Sequence, residues 1–251
     1  MTVAGPGEYL YRDKKLGDAE AIVVATAPDV FMPTSTTTLL LRAARRDLVP
    51  SPAPPRSVLD LGCGCGIVAV VLAKYLAPGT AIHASDISPA AVRLTQDNAR
   101  RHGAAIDCRG GSLFEPWGDQ RFDLIADDVA GVAEPLDRLS GWYPDAVPSG
   151  AGPDGTRWIL DVLDQAVDHL TPGGQLLFPV ISLSREAAIL ERAARRFATV
   201  VLVEEQWYPV NEELLARGPL LDELSRAGRI RVEQRGSRLC WATQIYRAQA
   251  R

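Results

Sequence analysis

Short apolar runs alternate with amphipathic stretches along most of the chain, and this alternation predicts its secondary structure. Short runs rich in β-branched and aliphatic residues are typical of buried strands, whereas apolar positions at helical spacing are typical of helices. Strands are predicted at residues 57–61, 81–85, 122–126, 175–180, 199–203 and 239–246. Helices are predicted at residues 67–76, 88–100, 155–170 and 184–196.

Two helix boundaries are marked by their own residues. Ser88 followed by Pro89 is an N-cap with proline in the first turn, and Thr-Pro-Gly-Gly at residues 171–174 is a stop signal. Strands separated by helices of this length form βαβ units with right-handed crossovers. The sequence therefore predicts an α/β fold: a doubly wound, Rossmann-like, mostly parallel sheet of seven strands with helices on both faces.

The alternation begins after a proline-rich stretch at residues 51–55 and is interrupted near the C-terminus. We expect residues 1–50 to form an N-terminal extension that covers a binding site. Residues 51–251 are expected to form the main domain, with an insertion at about residues 205–238. Additions of this kind on a Rossmann-like core often shape a substrate pocket.

The segment VLDLGCGCG at residues 58–66 places Gly62, Gly64 and Gly66 where the first predicted strand becomes a helix. Glycine adopts backbone angles that other residues avoid, and without a Cβ it lets a ligand approach the main chain. In a doubly wound sheet this turn lies at the ligand-binding crevice. The dinucleotide fingerprint requires its last glycine where Ile67 stands, which argues against a pyrophosphate ligand.

Two acids flank this turn. Asp60 precedes it, and its carboxylate would repel a phosphate but would hold an ammonium group or order water around a cationic ligand. Asp86 ends the next predicted strand, where an acid accepts hydrogen bonds from ribose hydroxyls. Together they fit a nucleoside that carries an amino acid.

The segment at residues 58–66 resembles the first motif of class I S-adenosylmethionine-dependent methyltransferases, and Asp86 matches the acid that binds the ribose in that family. Within the family, roughly residues 28–200 are most similar to the HemK-like (release-factor glutamine methyltransferase) group. The resemblance implies S-adenosyl-L-methionine as cofactor and a transferase activity for the main domain. The cofactor-binding residues it implies around the turn are Asp60, Gly62, Gly64, Gly66, Asp86, Ile87, Ser112 and Leu113.

A second matching segment, DVFMPTSTTTLLL, lies at residues 29–41. It resembles the part of the HemK-like group in which a proline and a threonine precede a helix that closes over the methionine end of the cofactor. By that match Thr37 contacts the cofactor, with Phe31 and Pro33 beside it. The segment Thr-Ser-Thr-Thr-Thr at residues 34–38 is equally typical of a helix cap, and the sequence leaves both interpretations open.

The chain departs from the HemK-like pattern at two places. That group carries AsnProProTyr after its fourth strand, where residues 128–131 of this chain read Asp-Val-Ala-Gly. The loss of this amide-gripping motif argues against a release-factor glutamine or an adenine ring as the acceptor. The acid that meets the adenine amine in that group is replaced by Ser112, which would form a weaker hydrogen bond.

Asp127 and Asp128 follow the strand predicted at residues 122–126, whose end faces the methyl group in this family. Carboxylates beside aromatic rings suit a cationic amine, because the acids pair with it and the rings add a cation–π attraction. One acid would also take the proton that an amine loses before attack. We therefore predict Asp128, Asp127 and Tyr143 as catalytic residues, Asp128 ahead of Asp127. The alternative is that one of the two acids caps the following loop.

Net charge, apolar runs and the spacing of cysteines and histidines bear on the partners, location and metal content of the protein. The net charge of −4 argues against a nucleic-acid partner, since phosphate contacts require an excess of Lys and Arg. No apolar run is long enough for a membrane span, and the first residues lack the apolar core of a signal peptide, so we expect a cytoplasmic protein. The cysteines and histidines show no metal-ligand spacing, and no metal is predicted.

The preferred function at this point is methyl transfer to nitrogen or oxygen of a small molecule, either amino-acid-like or a biosynthetic intermediate. The expected partner is that small molecule, without nucleic acid or membrane, and a homodimer is left open. One alternative is methylation of a protein side chain. Another is non-methylating chemistry, in which cyclisation or alkyl transfer consumes S-adenosylmethionine and releases methylthioadenosine. A non-catalytic binding module is a further alternative.

Overall fold

The computed structural model describes residues 3–5, 7–17, 20–48, 54–76, 79–140, 147 and 149–251. Its strands are β1 (Val3–Gly5), β2 (Glu8–Tyr11), β3 (Ile22–Ala25), β4 (Ser57–Leu61), β5 (Ala81–Asp86), β6 (Ile106–Gly110), β7 (Phe122–Asp127), β8 (Leu170–Ile181), β9 (Thr199–Pro209), β10 (Glu233–Arg235) and β11 (Arg238–Gln249). Its helices are α1 (Ser35–Leu48), α2 (Ile67–Tyr75), α3 (Pro89–Arg101), α4 (Glu134–Ser140), α5 (Arg157–His169), α6 (Glu186–Arg196), α7 (Glu212–Leu215) and α8 (Gly218–Arg226).

The main sheet has the strand order β6-β5-β4-β7-β8-β11-β9, and the short strand β10 adds an eighth strand by pairing with β11. The pairs among β6, β5, β4, β7 and β8 are parallel, whereas β11 is antiparallel to both of its long neighbours. The chain runs outward from β4 on one side and then crosses to β7 on the other. This confirms the predicted doubly wound, mostly parallel sheet and places its switch point at β4.

The sheet is covered on both faces because its strands are apolar on both faces. In β4, Val58 packs in a cluster with Leu40 of α1 and Val71 of α2. The next residue, Leu59, packs on the opposite side in a cluster with Val162 of α5. Successive side chains of a strand point to opposite faces, so a continuous apolar run requires helices on each side.

The helix α2 lies deepest among these helices. Its sequence, IVAVVLAKY, is apolar on nearly every side, and residues 67–72 are all buried. A helix that is apolar all round belongs in a core, and this one is nine residues long. Among the described helices, none has the length and apolar character needed to cross a membrane.

The N-terminal residues form a separate three-stranded sheet, β1-β2-β3, which is tied to the main sheet through α3. The Asn98 side chain accepts a hydrogen bond from Ala25 N at 2.8 Å and donates to Ala25 O and Cys65 O, both at 2.9 Å. One buried amide thus joins β3, α3 and the glycine turn. The boundary predicted at residue 50 and the predicted insertion remain predictions, although β9 continues to Pro209 through hydrogen bonding with β11.

Candidate cofactor and acceptor site

A cavity of about 380 Å³ opens where β4, β5 and β7 end. This is the crevice expected at the switch point of a doubly wound sheet. Its walls come from the segment before α1, the three strand ends, and the residues around the start of α5. The lining consists of residues 29–31, 34–36, 61–62, 85–88, 91, 111–113, 128–130, 132, 147, 149–150, 157–158, 181 and 241.

The glycine turn forms the floor at the end of β4. Its three glycines have φ values of +76°, +53° and +78°, all in the region that favours glycine. Gly62 lines the cavity, whereas Gly64 and Gly66 lie behind it and shape the turn. A Cβ on Gly66 would lie 2.7 Å from Thr95 Cγ2. Thr95 is itself fixed, because its hydroxyl donates to Gly64 O at 3.1 Å.

We expect Gly66→Ala to lower the free energy of unfolding by about 3 kcal/mol, since a strained backbone and a clash with Thr95 add together. Gly103→Ala is the matched control: Gly103 also has positive φ, at +62°, but a Cβ there would meet nothing within 4 Å. That control is expected to cost about 1 kcal/mol. Urea unfolding of both variants gives the comparison. Equal losses would show that the contact with Thr95 is unimportant.

Asp86 stands at the end of β5 and lines the cavity. Its Oδ2 accepts a hydrogen bond from Gly64 N at 2.9 Å, and its Oδ1 accepts one from Ser88 N at 2.8 Å. These two amides hold the carboxyl in place, while burial raises its pKa above the ordinary value. A carboxylate has about four acceptor positions, so one on each oxygen remains for a pair of ligand hydroxyls.

The cavity wall beside Asp86 is aliphatic. The Ile87 side chain is unusually exposed for its type, at 55% of its full surface. Leu113 lies across the same cavity and has a φ of +47°. A bulky residue in that region is strained, and such strain is concentrated at binding sites. Two aliphatic side chains next to a hydrogen-bond-accepting acid suit the faces of a flat base. Ser112, which precedes Leu113, also lines the cavity. Its backbone N donates to Glu115 Oε2 at 3.2 Å.

Asp60 does not reach the cavity. It is completely buried beneath the glycine turn, where its Oδ2 accepts a hydrogen bond from Ala69 N at 3.0 Å. Its Oδ1 has no hydrogen-bond partner among the described residues. Burial raises its pKa to about 8, so the group is mostly protonated at neutral pH. The contact with a cationic ligand predicted for Asp60 stays a prediction. In the structure Asp60 lies behind the residues that line the cavity.

We expect this buried acid to make the folded protein less stable as pH rises. Asp60 ionises near 3.8 in the unfolded chain but only near 8 in the folded chain, so its contribution to stability is lost between those two values. Asp60→Asn keeps an oxygen for Ala69 N and removes the ionisation, so the decline with pH becomes shallower. Urea unfolding across this range measures it, with the exposed Asp97→Asn as control. An unchanged slope would contradict the raised pKa.

Asp127 and Asp128 end β7 but have different surroundings. Asp127 is completely buried, does not line the cavity, and accepts a hydrogen bond from Val129 N at 3.2 Å. It therefore caps the loop, which is the alternative stated for one of the two acids. Asp128 lines the cavity, and its Oδ2 accepts a hydrogen bond from Thr37 Oγ1 at 2.6 Å. Burial raises its pKa to about 7.

The segment before α1 forms a wall next to the glycine turn, since a Cβ on Gly64 would lie 3.4 Å from Phe31 O. Phe31 lines the cavity, whereas Pro33 is buried outside it. Thr37 is buried too and reaches the site through Asp128. The capping interpretation also has support, because Thr34 Oγ1 accepts a hydrogen bond from Thr36 N at 3.2 Å. Tyr143 lies outside the described residues.

Some residues of the cavity lining do not stand out as site residues in the pattern of strands and helices. Ile181 ends β8, and Trp241 lies in β11, where both resemble ordinary core residues in sequence. Trp158 starts α5, and the Arg157 guanidinium lies 4.5 Å over its ring. The long-range pairing of β8 with β11 brings Ile181 and Trp241 to one cavity, which Asp128 also lines.

Residues 22–127 of the chain match the model of the Methyltransferase small domain family. Over 177 residues the chain is 37% identical to the release factor glutamine methyltransferase of Geobacter sulfurreducens, a match that covers 68% of this chain and 59% of that relative. Over 137 residues it is 36% identical to the ribosomal protein uL3 glutamine methyltransferase of Bradyrhizobium diazoefficiens, covering 52% and 42%. The chain therefore spans less than two thirds of these curated relatives.

The fold is shared with solved methyltransferase structures. One is the Thermus thermophilus 16S rRNA N2 G1207 methyltransferase in complex with AdoMet and guanosine. It is 18% identical, with a TM-score of 0.59, and the match covers 97% of this chain and 50% of that chain.

The predicted partners are wrong. A small-molecule acceptor was expected and nucleic acid was excluded, but the relatives are named for glutamines of a release factor and a ribosomal protein, and the structural neighbour for 16S rRNA. The exclusion rested on the net charge of the whole chain. That quantity does not describe the surface around the cavity, and a protein acceptor needs no excess of basic residues.

The residues of the cavity fit S-adenosylmethionine. Asp86 offers two acceptor positions for ribose hydroxyls, while Ile87 and Leu113 offer aliphatic faces for adenine. Asp128 places a carboxyl at the opposite side, where a positively charged group is favoured. When bound, this cofactor would supply a methyl carbon attached to a positively charged sulfur. The rest of the cofactor would leave as a neutral thioether.

Proposed function

We propose that the chain methylates a side-chain nitrogen of a protein, with S-adenosylmethionine as methyl donor. The observation that carries the proposal is the set of residues that line one cavity. Asp86, Ile87 and Leu113 suit a nucleoside, and Asp128, Trp158 and Trp241 line the same cavity with groups that suit a nitrogen acceptor.

The chain contributes chiefly by alignment. Methyl transfer from a sulfonium needs the nucleophile, methyl carbon and sulfur held in line, with water excluded. Asp86 and the amides of Gly64 and Ser88 would fix the nucleoside end. Beyond Asp128, Val132, Ile181 and Trp241 are buried and apolar, and they would exclude water from the acceptor side.

The choice of a protein acceptor is supported by the curated relatives, whose names refer to glutamines of release factors and of ribosomal protein uL3. The cavity lining also includes two indole rings, those of Trp158 and Trp241. We therefore extend the proposal to a protein of the translation apparatus as the acceptor.

The test uses purified bacterial ribosomes, separated into protein and RNA fractions, together with purified release factors. Each is incubated with the full chain and methyl-labelled S-adenosylmethionine, and Asp86→Ala protein serves as the inactive control. The proposal predicts label in a protein and an equal amount of S-adenosylhomocysteine. Label confined to RNA, or no labelled protein at all, would contradict it. Methylthioadenosine formed without any acceptor would support the non-methylating alternative instead.

A further inference from the structure

Asp128 presents one oxygen to the cavity and keeps the other in the protein. Its Oδ2 accepts a hydrogen bond from Thr37 Oγ1 at 2.6 Å, and that hydroxyl oxygen accepts one from Thr34 N at 3.1 Å. The Thr37 hydroxyl is thus held on both sides. Asp128 Oδ1 accepts no hydrogen bond from the described residues, and Asp128 lines the cavity. The free oxygen is the one that an acceptor would meet.

Asp128 is the lining carboxyl best placed to take a proton. Among the described lining residues, the ionisable side chains are Asp29, Asp86, Asp128 and Arg157. Asp29 is exposed at the rim, Asp86 is held by two backbone amides, and Arg157 is already a cation. Asp128 alone in this set combines partial burial with an oxygen that no described residue occupies.

Four titratable groups interact with Asp128 electrostatically: Tyr9, Asp60, Cys65 and Asp127. Burial raises the pKa of each of these four groups. Burial also raises the pKa of Asp128, to about 7, so this carboxyl changes charge near neutral pH.

The same part of the cavity offers aromatic rings. Trp158 and Trp241 both line it. Arg157 lies over one face of Trp158 on the exposed side, and Tyr208 packs against Trp241 with ring centroids 5.0 Å apart. Indole rings attract a cation, and an acid next to them favours a cation further.

We infer that the acceptor nitrogen is the amine of a lysine side chain rather than a carboxamide. This inference rests on the proposed function. The ammonium N–H donates to Asp128 Oδ1 and passes one proton to it, which leaves a neutral amine. The nitrogen lone pair would then bond to the methyl carbon, while the carbon–sulfur electron pair would stay on sulfur. A carboxamide is uncharged, so it gains neither the ion pair with Asp128 nor the attraction to indole rings that a cationic amine gains.

The site of methylation tests this inference directly. Protein labelled in the ribosome and release-factor experiment is digested, and the methylated residue is identified by mass spectrometry. Methyl groups on lysine side chains are expected. Methyl groups on glutamine or asparagine would overturn the amine acceptor and leave the proposed function standing. Absence of any labelled protein would instead overturn the proposed function itself.

The role of Thr37 has a separate readout that needs neither cofactor nor acceptor. Because its hydroxyl stabilises the ionised carboxylate, Thr37→Val should raise the pH at which Asp128 titrates, measured by carbon-13 NMR on the full chain. Thr37→Ser should restore the wild-type midpoint. Thr38→Val is the control, since that hydroxyl bonds to Tyr9 OH and Thr34 O and not to Asp128. The pH–rate curve of the labelled reaction should shift in parallel. An unmoved midpoint in Thr37→Val would overturn the positioning role.

Discussion

Asp86→Ala is expected to weaken S-adenosylmethionine binding roughly 100-fold, about 3 kcal/mol, as measured by isothermal titration calorimetry. Two hydrogen bonds from ribose hydroxyls to a carboxylate are lost, and each bond to a charged group contributes about 1.5–3 kcal/mol. The alanine also removes the acceptors of Gly64 N and Ser88 N, so the glycine turn becomes less well held.

The matched control for this prediction is Asp29→Ala. Asp29 carries the same charge and lines the same cavity, but it is exposed at the rim. Its loss is expected to change affinity less than about threefold, because an exposed charge is screened by solvent. Circular dichroism checks that both variants are folded. Unchanged affinity in Asp86→Ala would remove Asp86 from the binding site.

Asp128→Asn is expected to lower turnover about 100-fold or more while cofactor affinity stays within about threefold. Removing a general base typically costs 10²–10⁴ in rate, and the amide retains the shape of the side chain and an acceptor for Thr37 Oγ1. Turnover is measured as the rate of S-adenosylhomocysteine formation with the protein acceptor that the labelling experiment identifies. Affinity is measured separately by calorimetry.

Asp29→Asn is the control here, since it makes the same chemical change on the same cavity at its exposed rim. It should leave turnover near the wild-type value. The pH profile adds a second check. Wild-type turnover should rise as Asp128 ionises near pH 7, and this rise should be absent in Asp128→Asn. A variant with normal turnover would exclude Asp128 as the proton acceptor.

The central strands and the helices between them were predictable because each lies in a strong local pattern. The predicted helix at residues 67–76 ends one residue early, at Tyr75, and Ser88 caps α3 through Ala91 N at 3.4 Å. The strand β6 was missed because its residues are largely exposed and polar. Strands β1–β3 and β10 were missed because they are short, and such strands depend on partners distant in sequence.

The site was predictable where one motif contains it and unpredictable where distant segments meet. The glycine turn and Asp86 are local features, and both lie at the strand ends as expected. Which acid of the pair at residues 127 and 128 faces the cavity depends on the geometry beyond β7, and the sequence pattern does not reveal that geometry. The hydrogen bond from Thr37 to Asp128 spans 91 residues and depends on how α1 packs against the sheet.

The most direct test of the site is a calorimetric titration of the wild-type chain with S-adenosylmethionine, repeated with nicotinamide and flavin dinucleotides. We predict saturable one-site binding of S-adenosylmethionine and no binding of either dinucleotide, because the turn at residues 62–66 lacks the glycine spacing for a pyrophosphate. Tight binding of a dinucleotide, with no interaction with S-adenosylmethionine, would contradict the assignment of this cavity.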